Sequence, residues 1–277
     1  MSFAINFGVS PYRITHSLNR VNSLLADSME RLSTGMRVNR AADDPAGFAV
    51  ATMLATKDSS ASVALRNTAQ GTSMIATAEG AMGEIGNILD RMRELAVQSA
   101  SETLTSSQRS DIDSEFDELA AEIDRLAEST EYNDINLTDG STTSLSVQVG
   151  LDGASTSQIE LSFSDVGSSA LGVDSGSVDL STSSGASSAI TAIDSAIDSI
   201  ASERAALGAS QSRLDSASNY LTEMQLAARS SHSAIMDADM AFELAESSRL
   251  QVIQAAGIAA LAQAKDINSS LIGLLTS

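Results

Sequence analysis

A seven-residue repeat of apolar positions closes the chain, and it constrains everything upstream. Ile253, Gly257, Ala260, Ala264, Ile267, Leu271 and Leu274 follow one another at steps of 4, 3, 4, 3, 4 and 3. That is the a/d seam of one continuous helix over Arg249 to Leu274. Its first half is small, so that Gly257, Ala260 and Ala264 admit a second helix at close range. Its second half is bulky and uncharged at the seam. Chain ends ordinarily fray into water, and an apolar stripe there predicts a terminus buried by a partner. The opposite end carries the matching pattern: Ile14, Leu18, Val21, Leu25 and Leu32 stand at steps of 4, 3, 4 and 7. The simplest partner for each terminal helix is therefore the other.

Ser10-Pro11 suits an N-cap followed by proline at the first helical position. Gly35 interrupts this first helix, and Asp43-Asp44-Pro45 starts the next with a capping Asp. From Pro45 to Ser99 the helical pattern is continuous, clearest at Ile75, Ala78, Met82, Ile85, Leu89, Met92 and Ala96. A helix of this length makes a rod on the order of 80 Å. Gly80, Gly83 and Gly86 lie inside it, and each costs up to about 1 kcal/mol relative to Ala, which predicts close packing against another backbone.

Thr105 with Gln108 reads as a capping box for a shorter helix with seam Ile112, Phe116, Leu119, Ile123 and Leu126, ended by Asn133 and Asp134. Between Thr138 and Ser188 there is no Lys or Arg and the helical period vanishes. Two alternating runs, Leu145, Val147, Val149 and Ile159, Leu161, Phe163, flank Gly150 to Gly153 and predict a hairpin on polar surface loops. From about Ala186 a long helix resumes, with Ile193, Ile197, Ile200, Leu207, Leu214 and Leu221 on its seam, towards Ile235. The expected fold class is mainly α: a nested antiparallel long-helix coiled-coil bundle with a small β-hairpin region.

Composition excludes several functions. Aromatic residues make up 3%, Cys and Trp are absent and Pro occurs twice, which suits long helices rather than a wide globular core. Without cysteine there is no disulfide and no Cys-based zinc site. No secretory h-region opens the sequence, and no apolar run reaches a membrane span, so no membrane insertion is expected. The net charge of −20 argues against nucleic acid as a partner. His16 and His232 are the only histidines, and no metalloprotease, nucleophile-elbow or phosphate-loop sequence is present. Acid pairs such as Asp111 with Glu115 read as solvated helix face, and the ten Met residues as adaptable seam filler. Asn136-Leu137-Thr138 and Asn268-Ser269-Ser270 fit the glycosylation pattern. No catalytic residue, metal ligand or cofactor is expected.

Several motifs carry a family resemblance. ERLSTGMRVN at 30–39, ADDPAG at 42–47 and RELAVQS at 93–99 resemble the N-terminal core of bacterial flagellin; DADMA at 237–241, QAAG at 254–257 and LAQA at 261–264 resemble its C-terminal core. VQVG at 147–150 is similar to the family's hairpin. Two positions depart from the pattern: Asp134 stands where a Gly is usual after Asn, and Met240 replaces a usual aromatic. The resemblance implies an inner-tube domain from 1–35 and 238–277, a spoke linker at 36–44, and an outer-tube rod at 45–237 with a Ser/Gly-rich spacer at about 138–188. The large surface domains of many flagellins are missing from so short a middle.

By the same resemblance the chain is a filament subunit for swimming motility, exported by the flagellar type III route to the extracellular filament. Its implied partners are further copies of itself through the terminal seam, an export chaperone on the C-terminal segment, and the flagellar cap and hook-associated proteins. Motif matching places a contact for the flagellin-sensing Toll-like receptor of animal hosts at Arg91, Leu95 and Glu115; the inward seam of Leu89, Met92 and Ala96 leaves Arg91 pointing outward or towards a neighbouring subunit and Leu95 at the margin. The competing readings are a hook-filament junction protein, an enzymatic flagellin and a cytoplasmic coiled-coil scaffold. The absence of His between Thr138 and Ser188 speaks against the enzyme.

Overall fold

The computed structural model describes the backbone of residues 9–276 and the side chains of residues 12–267, 269 and 270. In chain order the elements are α1 (Val9–Thr34), α2 (Pro45–Ser99), α3 (Ser106–Ser129), β1 (Glu131–Tyr132), β2 (Ile135–Asn136), β3 (Ser144–Gln148), β4 (Gln158–Ser162), α4 (Ser168–Leu171), α5 (Ser183–Met236) and α6 (Met240–Thr276). They form two compact units, Met1–Asp58 with Leu226–Ser277, and Ser59–Gln225.

Local chemistry fixes the helix ends. Gly35 takes φ +72° and its N–H donates to Arg31 O at 2.8 Å, closing α1 in the left-handed conformation that glycine adopts without a Cβ penalty. Asp44 Oδ1 accepts from Gly47 N at 2.9 Å and Pro45 opens α2, as the sequence predicts. Thr105 and Gln108 form the capping box of α3. The expected cap at Ser10 is corrected: the described helix already includes Val9. Pro11 then lies within the described helix.

In the Ser59–Gln225 unit the whole α2 seam from Ile75 to Ala96 is 0% exposed. It packs with Phe116 and Ile123 of α3 and with Ile193, Ile200, Leu207 and Leu214 of α5. Ion pairs Arg204–Glu79 (3.6 Å) and Arg93–Asp194 (2.6 Å) run in opposite sequence order, so α2 and α5 are antiparallel. On α3 the fully buried partners include Ala120 and Ala127, while Leu119 and Leu126 are half-buried on the flank.

Three expectations for this unit need correction. Cβ atoms added at Gly80, Gly83 or Gly86 would meet nothing within 4 Å, so these glycines are not close-packed against another backbone of the same chain. The close approach is at Gly71 instead, where a Cβ would stand 3.1 Å from Val147 and 3.2 Å from Leu214. Asn133 and Asp134 do not end α3, which stops at an extended Thr130. They form the two-residue turn of the β1–β2 hairpin, with φ of 51° and 61°.

Part of the polar spacer also enters the core. The β3–β4 hairpin pairs as expected, Leu145 with Leu161 and Val147 with Ile159. Beyond it, however, Val166, Val173, Val178 and Leu180 are buried. Two α3 carboxylates hold this stretch down: Asp124 Oδ1 accepts from Ser168 N at 2.8 Å, and Asp113 Oδ1 from Leu180 N at 2.8 Å. At the glycosylation pattern the Asn136 amide donates to Asp139 at 2.7 Å, and the Thr138 hydroxyl is buried on Ala127 O.

Candidate self-assembly surface

The terminal helices α1 and α6 pair antiparallel within their own unit. Leu18 faces Gly257, Gln254 donates to Asn22 Oδ1 at 2.8 Å, and Met36 bridges to Asp237. The backbone continues the join, with Arg37 N donating to Met236 O at 2.6 Å and Ala238 N to Gly35 O at 2.9 Å. Val38, Ala51 and Met236 form a small core beside it.

Pairing does not close the seam. Ile14, Leu18, Val21, Leu25 and Leu32 are half-buried, as are Gly257 and Ala264; Ala260 is exposed, Ile253 is 38% exposed and Ile267 51%. The side chains of Leu271 and Leu274 lie outside the described residues. Between the helices runs an apolar furrow of about 280 Å³, lined by Ile14, Leu18, Val21, Ile253, Gly257 and Ala260. An aliphatic helix pair with an open furrow has apolar area left for a further helix.

One polar cluster interrupts the seam, and it is absent from the sequence-based site. Glu243 is 5% exposed and Ser28 4%. Ser28 Oγ donates to Glu243 Oε2 at 2.9 Å, and Arg31 Nη1 to Oε1 at 3.2 Å. Both residues occupy seam positions. Ser28 fills the step of seven between Leu25 and Leu32, and Glu243 lies seven residues before Leu250, which itself precedes Gly257 by seven. A buried polar group on a seam penalises shifted registers, since each slip leaves it unpaired.

On the outer unit, Arg91 bridges two acids, Glu115 at 2.7 Å and Glu94 at 2.9 Å, and its side chain is half-exposed. The hydrogen-bonded Glu115 carboxylate, with Glu94, raises the Arg91 pKa above its ordinary value. Arg91 and Glu115 are thus brought together. Leu95 is not at the margin: it is 2% exposed, because its position adjoins the α2 seam.

A family model described as the bacterial flagellin N-terminal helical region matches residues 5–143, and one for the flagellin C-terminal helical region matches residues 190–275. The flagellin of Halalkalibacterium halodurans is 37% identical over 90% of each chain. That of Bacillus subtilis is 34% identical over 98% of this chain and 99% of its own. The flagellar filament 33 kDa core protein of Treponema phagedenis is 31% identical over 98% and 99%. The crystal structure of Bacillus cereus flagellin superposes with a TM-score of 0.50 at 34% identity, covering 56% of this chain and 88% of that one. With both helical ends matched and relatives aligned along nearly its whole length, the chain belongs to the bacterial flagellin family and is a structural subunit of the flagellar filament.

Proposed function

We propose that residues 1–35 and 238–277 form the inner-tube domain through which the subunits polymerise, with 36–44 as the spoke and 45–237 as the outer-tube rod. The observation that carries this reading is the open seam of the α1–α6 pair, whose Ile253 and Ile267 remain exposed. Heterologous contacts that do not close generate a helical filament, and an unsatisfied apolar stripe at both chain ends favours them. Deleting residues 267–277 removes the bulky half of the α6 seam. The truncated subunit is expected to keep a helical rod and to stop elongating filament seeds; elongation at the parent rate would refute the assignment.

The same reading extends to export and partners. A terminal helix pair with half its stripe open cannot offset its ordering entropy alone, which favours passage as an unfolded chain and folding at the growing tip. Type III export to an extracellular filament follows, with an export chaperone covering the C-terminal segment until assembly and the cap and hook-associated proteins bounding the polymer. Sheared-filament fractionation tests this location.

For animal hosts, the receptor contact centres on the exposed Arg91–Glu115 bridge. Leu95 would act by holding α2 in place from within the core. Depolymerised subunit is expected to activate the receptor and intact filament only weakly, and Arg91→Ala to reduce signalling. An Arg91→Ala variant that signals like its parent would remove this site.

A further inference from the structure

The chain has two Asp-Gly steps, Asp139-Gly140 and Asp152-Gly153, and no Asn-Gly. Aspartate before glycine is the pair in which a backbone nitrogen most readily attacks the preceding side chain, because glycine has no Cβ to shield its N–H. The fold treats the two steps differently. At Asp139 both carboxylate oxygens are held: Oδ1 accepts from Ser141 N at 2.9 Å and from the Ser141 hydroxyl at 2.6 Å, and Oδ2 from the Asn136 amide at 2.7 Å. Gly140 sits at φ +75° against Asp165, where a Cβ would stand 2.9 Å from the Asp165 Cβ, and Asp139 and Gly140 are both half-buried.

At Asp152 the arrangement is open. Asp152, Gly153 and Ala154 are exposed, and a Cβ on Gly153 would meet nothing within 4 Å. Among the described residues Asp152 engages Oδ1 alone, which accepts from the Ser157 hydroxyl and from Ala154 N at 3.4 Å. The Ala154 bond closes a ring that contains Gly153 N and so folds the carboxyl back towards that nitrogen. Gln148 Nε2 donates to Asp152 O at 2.7 Å. In a trans peptide the N–H points opposite to the C=O, which leaves the Gly153 N–H facing away from Gln148. Hydrogen bonds from the Ser141 and Ser157 hydroxyls lower the pKa of Asp139 and Asp152 alike, so the supply of neutral carboxyl does not separate the two steps. Geometry does.

We propose that Asp152-Gly153 is a site of spontaneous isoaspartate formation, that Asp139-Gly140 is protected, and that the modified loop tip is a substrate for an S-adenosylmethionine-dependent isoaspartyl methyltransferase. Gly153 N bonds to Asp152 Cγ, and its proton leaves with the carboxyl hydroxyl as water, which closes a succinimide ring. Water then adds to one of the two ring carbonyls. Breaking the bond from Asp152 C to Gly153 N leaves the chain running through Cγ, with the former main-chain carbonyl as a free carboxylate; breaking the bond from Cγ restores aspartate. The water lost is regained, and neither oxidation state nor net charge changes. The methyltransferase moves the methyl group of S-adenosylmethionine onto the free carboxylate as an ester. The added backbone methylene lies beyond the last β3–β4 pair, Gln148 with Gln158, so the hairpin register survives the change.

Full-length folded subunit aged in warm neutral buffer tests this. Two readouts apply: methyl uptake from labelled S-adenosylmethionine with an added isoaspartyl methyltransferase, and digestion by a protease that cuts before aspartate and not before isoaspartate. With age, methyl uptake is expected to rise and the cut before Asp152 to fade, while the cut before Asp139 persists and the intact mass stays the same. Gly153→Ala, for which the loop has room, and Asp152→Glu, whose longer side chain would have to close a larger ring, are each expected to lose the uptake. Gly140→Ala is expected to leave uptake at the parent level. Aged subunit that accepts no methyl groups, fading at Asp139 in place of Asp152, or a Gly153→Ala variant that takes up methyl groups like its parent would each overturn the site. Subunit unfolded in denaturant provides the control for the protecting role of the fold. There both cuts are expected to fade together, and continued resistance at Asp139 would show that its hydrogen bonds and the φ of Gly140 are not what protects it.

Discussion

Leu18 fills the space that a side chain on Gly257 would take: a Cβ there would stand 2.7 Å from Leu18 Cδ2. The obstacle is the far end of a rotatable side chain, so the cost of substitution should grow steeply with size. Gly257→Ala is expected to be tolerated, with Leu18 turning aside. Gly257→Ile is expected to separate α1 from α6 and abolish seed elongation, and Leu18→Ala in the same chain to restore part of it. If Gly257→Ile elongates like the parent, the helices do not rely on this close approach.

Glu243 offers a second test of the same pair. Its side chain is 6% exposed and accepts from Ser28 and Arg31, whereas Arg31 itself is 37% exposed and can rehydrate. Glu243→Ala should destabilise the pair by about 1–3 kcal/mol, the range for losing hydrogen bonds to a buried charged group. Glu243→Gln keeps an acceptor for Ser28 and is expected to cost less. Hydrogen exchange of the first three turns of α6 reads the difference; equal protection in both variants and the parent would count against a registering role.

These two relationships mark where the sequence was legible. Aliphatic seams announce themselves by period, so the buried face of α2, the capping box at Thr105 and the β3–β4 pairing follow from spacing and residue type. Ser28 and Glu243 escape because a search for apolar repeats skips polar members, although the step of seven at Leu25 to Leu32 marks the missing one. The buried stretch from Val166 to Leu180 escapes for a related reason. Its apolar residues are isolated among Ser, Gly and Asp, and they are held by long-range bonds from Asp113 and Asp124 that no local pattern encodes. At Leu95 the helical phase places the side chain only at the edge of the seam, and the packing of neighbouring helices decides that it is buried.

The middle of the chain should respond to insertion very unevenly. Asp152 and Gly153 lie at an exposed loop tip, and a Cβ on Gly153 would meet nothing within 4 Å. A short polar insertion between them is expected to leave assembly and motility intact. The same insertion between Asp179 and Leu180 would shift Leu180 out of the core and break the bond from its N–H to Asp113. Soluble, unassembled subunit is expected from the second insertion and motile cells from the first; the reverse would contradict the division between tip and core.

Asp134 holds φ 61° as the second residue of a two-residue hairpin turn. Turns with positive φ at both central positions favour Asn-Gly, since only glycine has no Cβ penalty there. Asp134→Gly is expected to stabilise the subunit by about 0.5–1 kcal/mol, seen as a higher denaturation midpoint. Asn133→Val, which puts a β-branched residue in the same conformation, should lower it.

Acid should loosen the stretch between β2 and α5 before the long helices. Four aspartates there close turns by accepting from nearby donors: Asp139 from the hydroxyl and N–H of Ser141, Asp152 from Ser157, Asp174 from Ser177, and Asp179 from the hydroxyl and N–H of Ser181. Each bond favours the ionised carboxylate, and all four pKa values are lowered. A carboxylate whose folded pKa lies below its unfolded value, about 3.9 for Asp, contributes its full stabilisation above that value. It loses the contribution as pH falls through the folded pKa. Asp117 on α3 acts with the opposite sign: although the residue is exposed, partial desolvation of its carboxylate, aided by Asp113 and Glu118, raises its pKa. Its charged form weighs against the fold at neutral pH, and protonation relieves that strain at a higher pH than the ordinary Asp value. Acidification is therefore expected to protonate Asp117 first at little cost, and only below about pH 4 to expose the amides around residues 139–181. Carboxyl NMR titration with hydrogen exchange over the same range checks the order. A common, ordinary midpoint for all five aspartates, or loss of protection along α2 before these turns, would refute it.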